Sequence, residues 1–101
     1  MKKTNDYHGF LIENLKNPLE AAEYLNTVLE QGNREMFLIA LRNVTEACGG
    51  MAKVARLAKL NRSNLYKMLA KTGHPEIQTI DQLLHSFGLR LAVAVSSRKA
   101  A

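Results

Sequence analysis

The stretch "AKVARLAKLNRSNLYKMLA", residues 52–70, concentrates groups that can bind an anion: it holds five basic side chains and no acidic one. Arginine and lysine offer N–H donors to phosphate oxygens and to the O6 and N7 acceptors of guanine. Ser63 can bond several base edges, and Tyr66 can pack on a sugar or a thymine methyl or donate to a phosphate. Spacing sorts these groups into two sets. Arg62, Ser63, Tyr66 and Lys67 crowd the start and flank of one short helix, where they can read bases. Lys53, Arg56, Lys59, Asn64 and Lys71 surround them and suit the sugar–phosphate backbone, whose contacts set register without carrying sequence information.

Two helices must position these groups. In the first, from Met51 to about Ala58, Val54, Ala55 and Ala58 share an inward side. Lys53, Arg56 and Lys59 recur every third residue on the other side, and Ala55 is small where a second helix crosses closely. In the second, Asn61 is the N-cap, Leu65, Met68 and Leu69 form the apolar stripe, and Leu60 plugs the junction. This is the pattern of a helix-turn-helix whose second helix enters the major groove of duplex DNA. An ordinary helical hairpin with a charged solvent face shares the spacing, but such a face usually mixes signs. Residues 51–71 carry six basic side chains and no acidic one. The ninth position of such a turn is commonly glycine, because the backbone turns left-handed there. Here it is Lys59, at a cost of roughly 1 kcal/mol. The backbone N–H groups at Gly50–Ala52, ahead of the first helix's ladder, can receive a phosphate.

The remaining chain predicts the support. "DYHGFLIENLK" suits a short helix opened by Asp6 with Phe10, Leu11 and Leu15 on one side, while Gly9 leaves a strand over 7–12 open. Asn17 then caps a helix with Pro18 at its first position and Glu20 three residues after the cap. Leu19, Ala22, Leu25 and Leu29 repeat at helical spacing before Gly32. Asn33 caps another helix from about Arg34 to Cys48, with Phe37, Leu38, Leu41, Val44 and Cys48 inward, and Gly49-Gly50 breaks it. "TGHPEIQT" is a loop by composition. Thr79 then caps a helix over Ile80–Phe87, and Gly88 stops it. "LRLAVAV", residues 89–95, alternates as a strand does. The expectation is a single all-α domain of five to six helices with one short C-terminal β-strand. Its parts are N-terminal helices over 7–48, the paired helices over 51–71, a helix over 79–87, a strand over 89–95 and a loose tail over 96–101.

Totals limit the function. A chain of 101 residues supports one core, and 47% hydrophobic residues exclude a disordered chain. The net charge of +5 is uneven: residues 1–50 carry five Lys/Arg and seven Asp/Glu, whereas residues 51–101 carry nine and two. Such asymmetry suits a polyanion for the second half. No apolar run approaches the roughly 18 residues of a membrane span. Residues 1–6 are polar, so no signal peptide and a cytoplasmic location are expected. Cys48 is the only cysteine, which excludes an internal disulfide and any cysteine-based metal site, and a buried small hydrophobe is its simplest role. His8, His74 and His85 are scattered and read as surface residues. With no Gly-rich phosphate loop, nucleophile motif or spaced carboxylate pair, neither an enzyme nor a cofactor is expected.

At this point the chain resembles a known family. "GGMAKVARLAKLNRSNLYKMLAKTGHPEIQTIDQLLHSFGLRLAVA" is similar to the C-terminal two-thirds of the addiction-module antidote proteins. These are HigA-like antitoxins with a Cro/C1-repressor-type helix-turn-helix. "LIENLKNPLEAAEYLNTVLEQGNREMFLIALRNVTEA" resembles their N-terminal helices, so the likeness spans about residues 7–95. Its most telling pieces are "NRSNLYKML" followed by Gly73-His74-Pro75, and the closing "FGLRLAV". Family members often have a glycine where Lys59 stands and an acidic residue near Ser63; both departures bear on which DNA sequence is preferred. The resemblance implies a lambda-repressor-like fold, repression of the chain's own operon through an operator, and neutralisation of a toxin of the RelE/ParE type encoded beside it.

One helix-turn-helix covers one half-site, and specific binding needs a dimer across two half-sites about one helical turn apart. A lone strand is not stable. The segment bearing Leu89, Leu91, Val93 and Val95 can therefore pair with its copy in a homodimer, the preferred expectation. It can also pair with residues 7–12 of its own chain or extend a toxin's sheet. Glu13, Glu20, Glu23 and Glu30 form a solvated face or meet a basic toxin. Two other functions fit the residues: a stand-alone prophage-type repressor with no toxin, and a protein-interaction module. Salt dependence separates the module from a DNA binder, and growth rescue from the neighbouring gene product separates antitoxin from repressor.

Overall fold

A computed structural model describes residues 3–97, and it is all-helical among those residues. The helices are α1 (Lys3–Asn14), α2 (Pro18–Gln31), α3 (Arg34–Ala47), α4 (Met51–Ala58), α5 (Arg62–Met68) and α6 (Ile77–Ser86). Local chemistry sets their ends. The Asn17 side chain accepts from the Leu19 N–H at 2.9 Å, with Pro18 opening α2 where no N–H is needed. Asn33 does the same for α3, accepting from the Met36 N–H at 3.0 Å.

Helix α3 is the hub. Helices α1, α2 and α4 pack against it, and α4 is held in turn by α5 and α6. Leu38, Leu41 and Val44 of α3 meet one core with Val54, Leu65, Leu69 and Leu83, all essentially shielded from water. Thr45 is the one buried polar side chain among the described residues, and its hydroxyl donates to the Leu41 carbonyl at 2.8 Å. No helix among the described residues is long and apolar enough to cross a membrane.

Four expectations are corrected. Residues 7–12 lie within α1, so the strand alternative there is excluded. Phe10 faces solvent (68% exposed), while Leu11, Ile12 and Leu15 pack on the core. In α2 the inward series is Ala21, Leu25 and Val28, and Leu19 is 80% exposed. Helix α6 starts at Ile77 rather than Ile80: Glu76 is the extended residue before it, and its carbonyl accepts the Ile80 N–H at 3.0 Å. Pro75 forbids helix just before it and allows one soon after, so Thr79 lies inside the first turn instead of capping it.

No strand forms at 89–95 within the single chain among the described residues. The Leu89 N–H donates to the Leu84 carbonyl at 2.8 Å, and beyond it the backbone through Val95 makes no hydrogen bond. A strand is a property of a pair, and the segment that could have paired within the chain is helical. Leu89 packs on the core, whereas Leu91, Val93 and Val95 are exposed. The tail expected over 96–101 lies outside the described residues from position 98.

Candidate nucleic-acid interface

The chain reverses between α3 and α4 through Gly49 and Gly50, whose φ angles of 112° and 98° favour glycine. Helix α4 then begins with no side-chain cap on its first N–H groups. At its other end Lys59 is left-handed, with φ 60° and ψ 42°, the only described residue other than glycine with a positive φ. The Lys59 N–H donates to the Arg56 carbonyl at 3.3 Å and the Leu60 N–H to the Ala55 carbonyl at 2.8 Å. This is the Schellman closure that glycine normally makes, at the position where the spacing predicted it. Lys59→Gly should therefore raise stability by about 1 kcal/mol, read as a higher urea midpoint, while weakening duplex binding through the lost charge.

Helix α5 starts at once. The Asn61 side chain accepts from the Ser63 N–H at 2.9 Å and the Asn64 N–H at 3.2 Å. With the first turn capped from within, the side chains of Ser63 and Asn64 stay free for an outside partner. Leu65 and Leu69 point inward with no exposed surface, and Met68 is partly buried beside them.

The predicted DNA contacts all face solvent. Arg62, Ser63, Tyr66 and Lys67 are exposed, as are Lys53, Arg56, Lys59, Asn64 and Lys71. The ion pairs among the described residues are Lys16–Glu13, His8–Glu46 and His85–Asp81, so none of the six cations on this surface is neutralised by a carboxylate. The Arg62 guanidinium lies over the Tyr66 ring, 5.7 Å from its centre, one turn along α5. Such contact holds the planar donor fork on the outer face. Leu89, Leu91, Val93 and Val95 do not join this surface. Leu89 and Leu91 line a groove with residues of α2 and α6, and Val93 and Val95 are fully exposed.

Several supports had no signal in the sequence. The Gln82 side chain of α6 donates to the Ala58 carbonyl at 3.2 Å, which fastens the end of α4 before the turn. Arg34 donates to His74 Nδ1 at 2.9 Å and ties the loop after α5 to the start of α3. Guanidinium only donates, so Nδ1 is the acceptor in this contact. Gly73 is buried against the end of α5, and a methyl group on it would run into the Met68 carbonyl. Gly73→Ala should cost about 1–3 kcal/mol, as overpacking does, and lower the melting temperature accordingly. Cys48 is half-buried, and desolvation raises its thiol pKa, with Lys53 opposing. No group of three or more His, Cys, Asp or Glu side chains among the described residues is placed to hold a metal ion.

Comparison with known proteins gives two matches. A family described as "Probable addiction module antidote protein" matches residues 8–95. An uncharacterised protein of Haemophilus influenzae strain Rd is 34% identical over 84 residues, which is 83% of this chain and 86% of that protein. No solved structure matches the chain.

Proposed function

Because this chain belongs to the addiction module antidote protein family, we propose that it is a DNA-binding antitoxin: it represses its own operon and neutralises a RelE/ParE-like toxin encoded beside it. An antidote implies a toxin partner, and the operator is duplex DNA. It works by binding in the cytoplasm, without catalysis or a cofactor.

The observation that carries the DNA half is the uncompensated cationic surface of α4 and α5, with buried Leu65 and Leu69 directly behind it. In this proposal α4 and α5 act as a lambda-repressor-like helix-turn-helix. The start of α5 enters the major groove. Arg62 donates two hydrogen bonds to a guanine, Ser63 reaches a base edge, and Lys67 reaches guanine or a phosphate. Tyr66 steadies Arg62 and contacts a sugar or thymine methyl. Lys53, Arg56, Lys59, Asn64 and Lys71 hold phosphates on either side. Two copies, joined through Leu89, Leu91, Val93 and Val95, present two α5 helices to successive half-sites.

Two assays test the halves separately. The chain is titrated against the duplex upstream of its gene and against a scrambled duplex; tighter binding to the first is expected, and equal binding overturns autorepression. The neighbouring reading frame is expressed alone and with this chain. Rescue of growth together with co-purification is expected. Failure of both leaves a repressor without a toxin.

A further inference from the structure

Helices α2, α3 and α6 leave a groove of about 710 Å³, completed by Gly88–Ala92 of the C-terminal segment. Its surface is apolar, built by Leu29, Phe37, Ile77, Ile80, Leu84 and Leu91. His85 and Arg90 are its only ionisable lining groups, and none of the α4–α5 cations lines it. Leu29 and Ile77 are 51% and 70% exposed at its edge. Along one side runs a backbone without hydrogen bonds from Arg90 to Val95, ending in the fully exposed Val93 and Val95.

We propose that this groove is the seat of the same C-terminal segment from a second copy. Residues 89–95 of the two copies pair antiparallel about a two-fold axis, and each copy's Val93 and Val95 cover the other's groove. The proposal rests on the dimer described above and adds where the paired segments lie.

Alternation limits the register to pairings that keep the four apolar side chains on one face, and the one centred on Ala92 joins each leucine to a valine. Side chains two apart share a face of a strand, so Leu89, Leu91, Val93 and Val95 lie together. Leu89 packs on the core, and Leu91 lines the groove together with Arg90 and Ala92; pairing turns the shared face of the four apolar residues toward the body. In an antiparallel pair centred on Ala92, Leu91 stands opposite the mate's Val93 and Leu89 opposite the mate's Val95. The mate's two valines then lie over the groove beside the leucines that already form its wall. The two-fold operation repeats the contact, so neither copy is left with uncovered valines.

A free two-stranded ribbon of this length is marginal in water and needs an apolar surface beneath it. The groove provides that surface, and the pairing also satisfies the row of free N–H and C=O groups. The occupant therefore matches the site in hydrogen bonding and in apolar character. The cationic surface of each copy stays open to DNA.

Sedimentation equilibrium of the full chain tests this, using Leu29→Lys and Ile77→Lys. Both residues are exposed in the single chain, so the fold is kept, which circular dichroism checks. The wild type should be a dimer, and each groove variant should raise its dissociation constant about tenfold or more, as loss of a buried contact does. A Val93→Lys/Val95→Lys chain should do the same. If the groove variants dimerise like the wild type while the valine variant is monomeric, the proposal fails and the dimer through the segment stands. If the wild type is monomeric, or the valine variant still dimerises, both fail. If the groove variants keep the dimer but lose the adjacent gene product, the groove belongs to the toxin and the proposal is overturned.

Discussion

Leu65→Ala is expected to destabilise the domain by about 2–5 kcal/mol, the range for a truncated core leucine. Leu65 is fully buried in the core cluster that also holds residues of α3, α4 and α6, and its helix packs on α4. Domains of this size are stable by only about 5–15 kcal/mol, so much of the margin goes with one side chain. The effect on DNA binding should exceed the effect on folding. Helix α5 has seven residues, far below the roughly 12–15 at which an isolated helix is even marginal in water. It is helical because Asn61 caps it and Leu65 and Leu69 hold it down. Without Leu65, Arg62, Ser63 and Lys67 lose their common frame even in molecules whose core survives. Urea unfolding gives the first quantity and duplex titration well below the unfolding midpoint gives the second. A loss of stability under about 1 kcal/mol would mean that α5 is not anchored through this residue.

Arg62→Ala should leave folding almost untouched, because the side chain is exposed and stacks over the Tyr66 ring on the surface of α5. Its effect should fall on the operator. Loss of one base-reading arginine costs about 1–3 kcal/mol per half-site, and a two-fold dimer loses it twice. The preference over scrambled DNA should shrink with it. Lys53→Ala provides the contrast: a phosphate contact weakens all duplexes alike, and a base contact does not. Equal operator binding by Arg62→Ala and wild type in a gel-shift titration would remove α5 from the base-reading position.

Legibility of the fold in the sequence followed how strongly each residue's choice was constrained. Around α4 and α5 every apolar position had one place to go. Val54, Ala55, Ala58, Leu65 and Leu69 are buried as their spacing required, and Lys59 took the left-handed position normally given to glycine. Helix α2 was different. Leu19, Ala21, Ala22, Leu25, Val28 and Leu29 spread around much of its circumference, so 22-25-29 and 21-25-28 were equally periodic. Packing on α3 chose the second. Alternation at 89–95 was correctly seen, but no mate for a strand exists among the described residues, so the same pattern appears as an unpaired segment. Gln82 on the Ala58 carbonyl, Arg34 on His74 and the close approach at Gly73 are contacts between distant parts of the chain, and no local pattern announces them.

The central claim is that α4 and α5 present an uncompensated cationic surface to duplex DNA, and its most direct test is the salt dependence of binding to the DNA upstream of the gene. Lys53, Arg56, Lys59 and Lys71 of two copies make eight phosphate contacts in the proposed complex. The log–log slope of affinity against salt should then be about −7, a loss of roughly four decades between 50 and 200 mM. Lys53→Ala should flatten that slope by about 2 in the dimer, one contact from each copy. A slope near zero in the wild type, or one that Lys53→Ala leaves unchanged, would contradict the account.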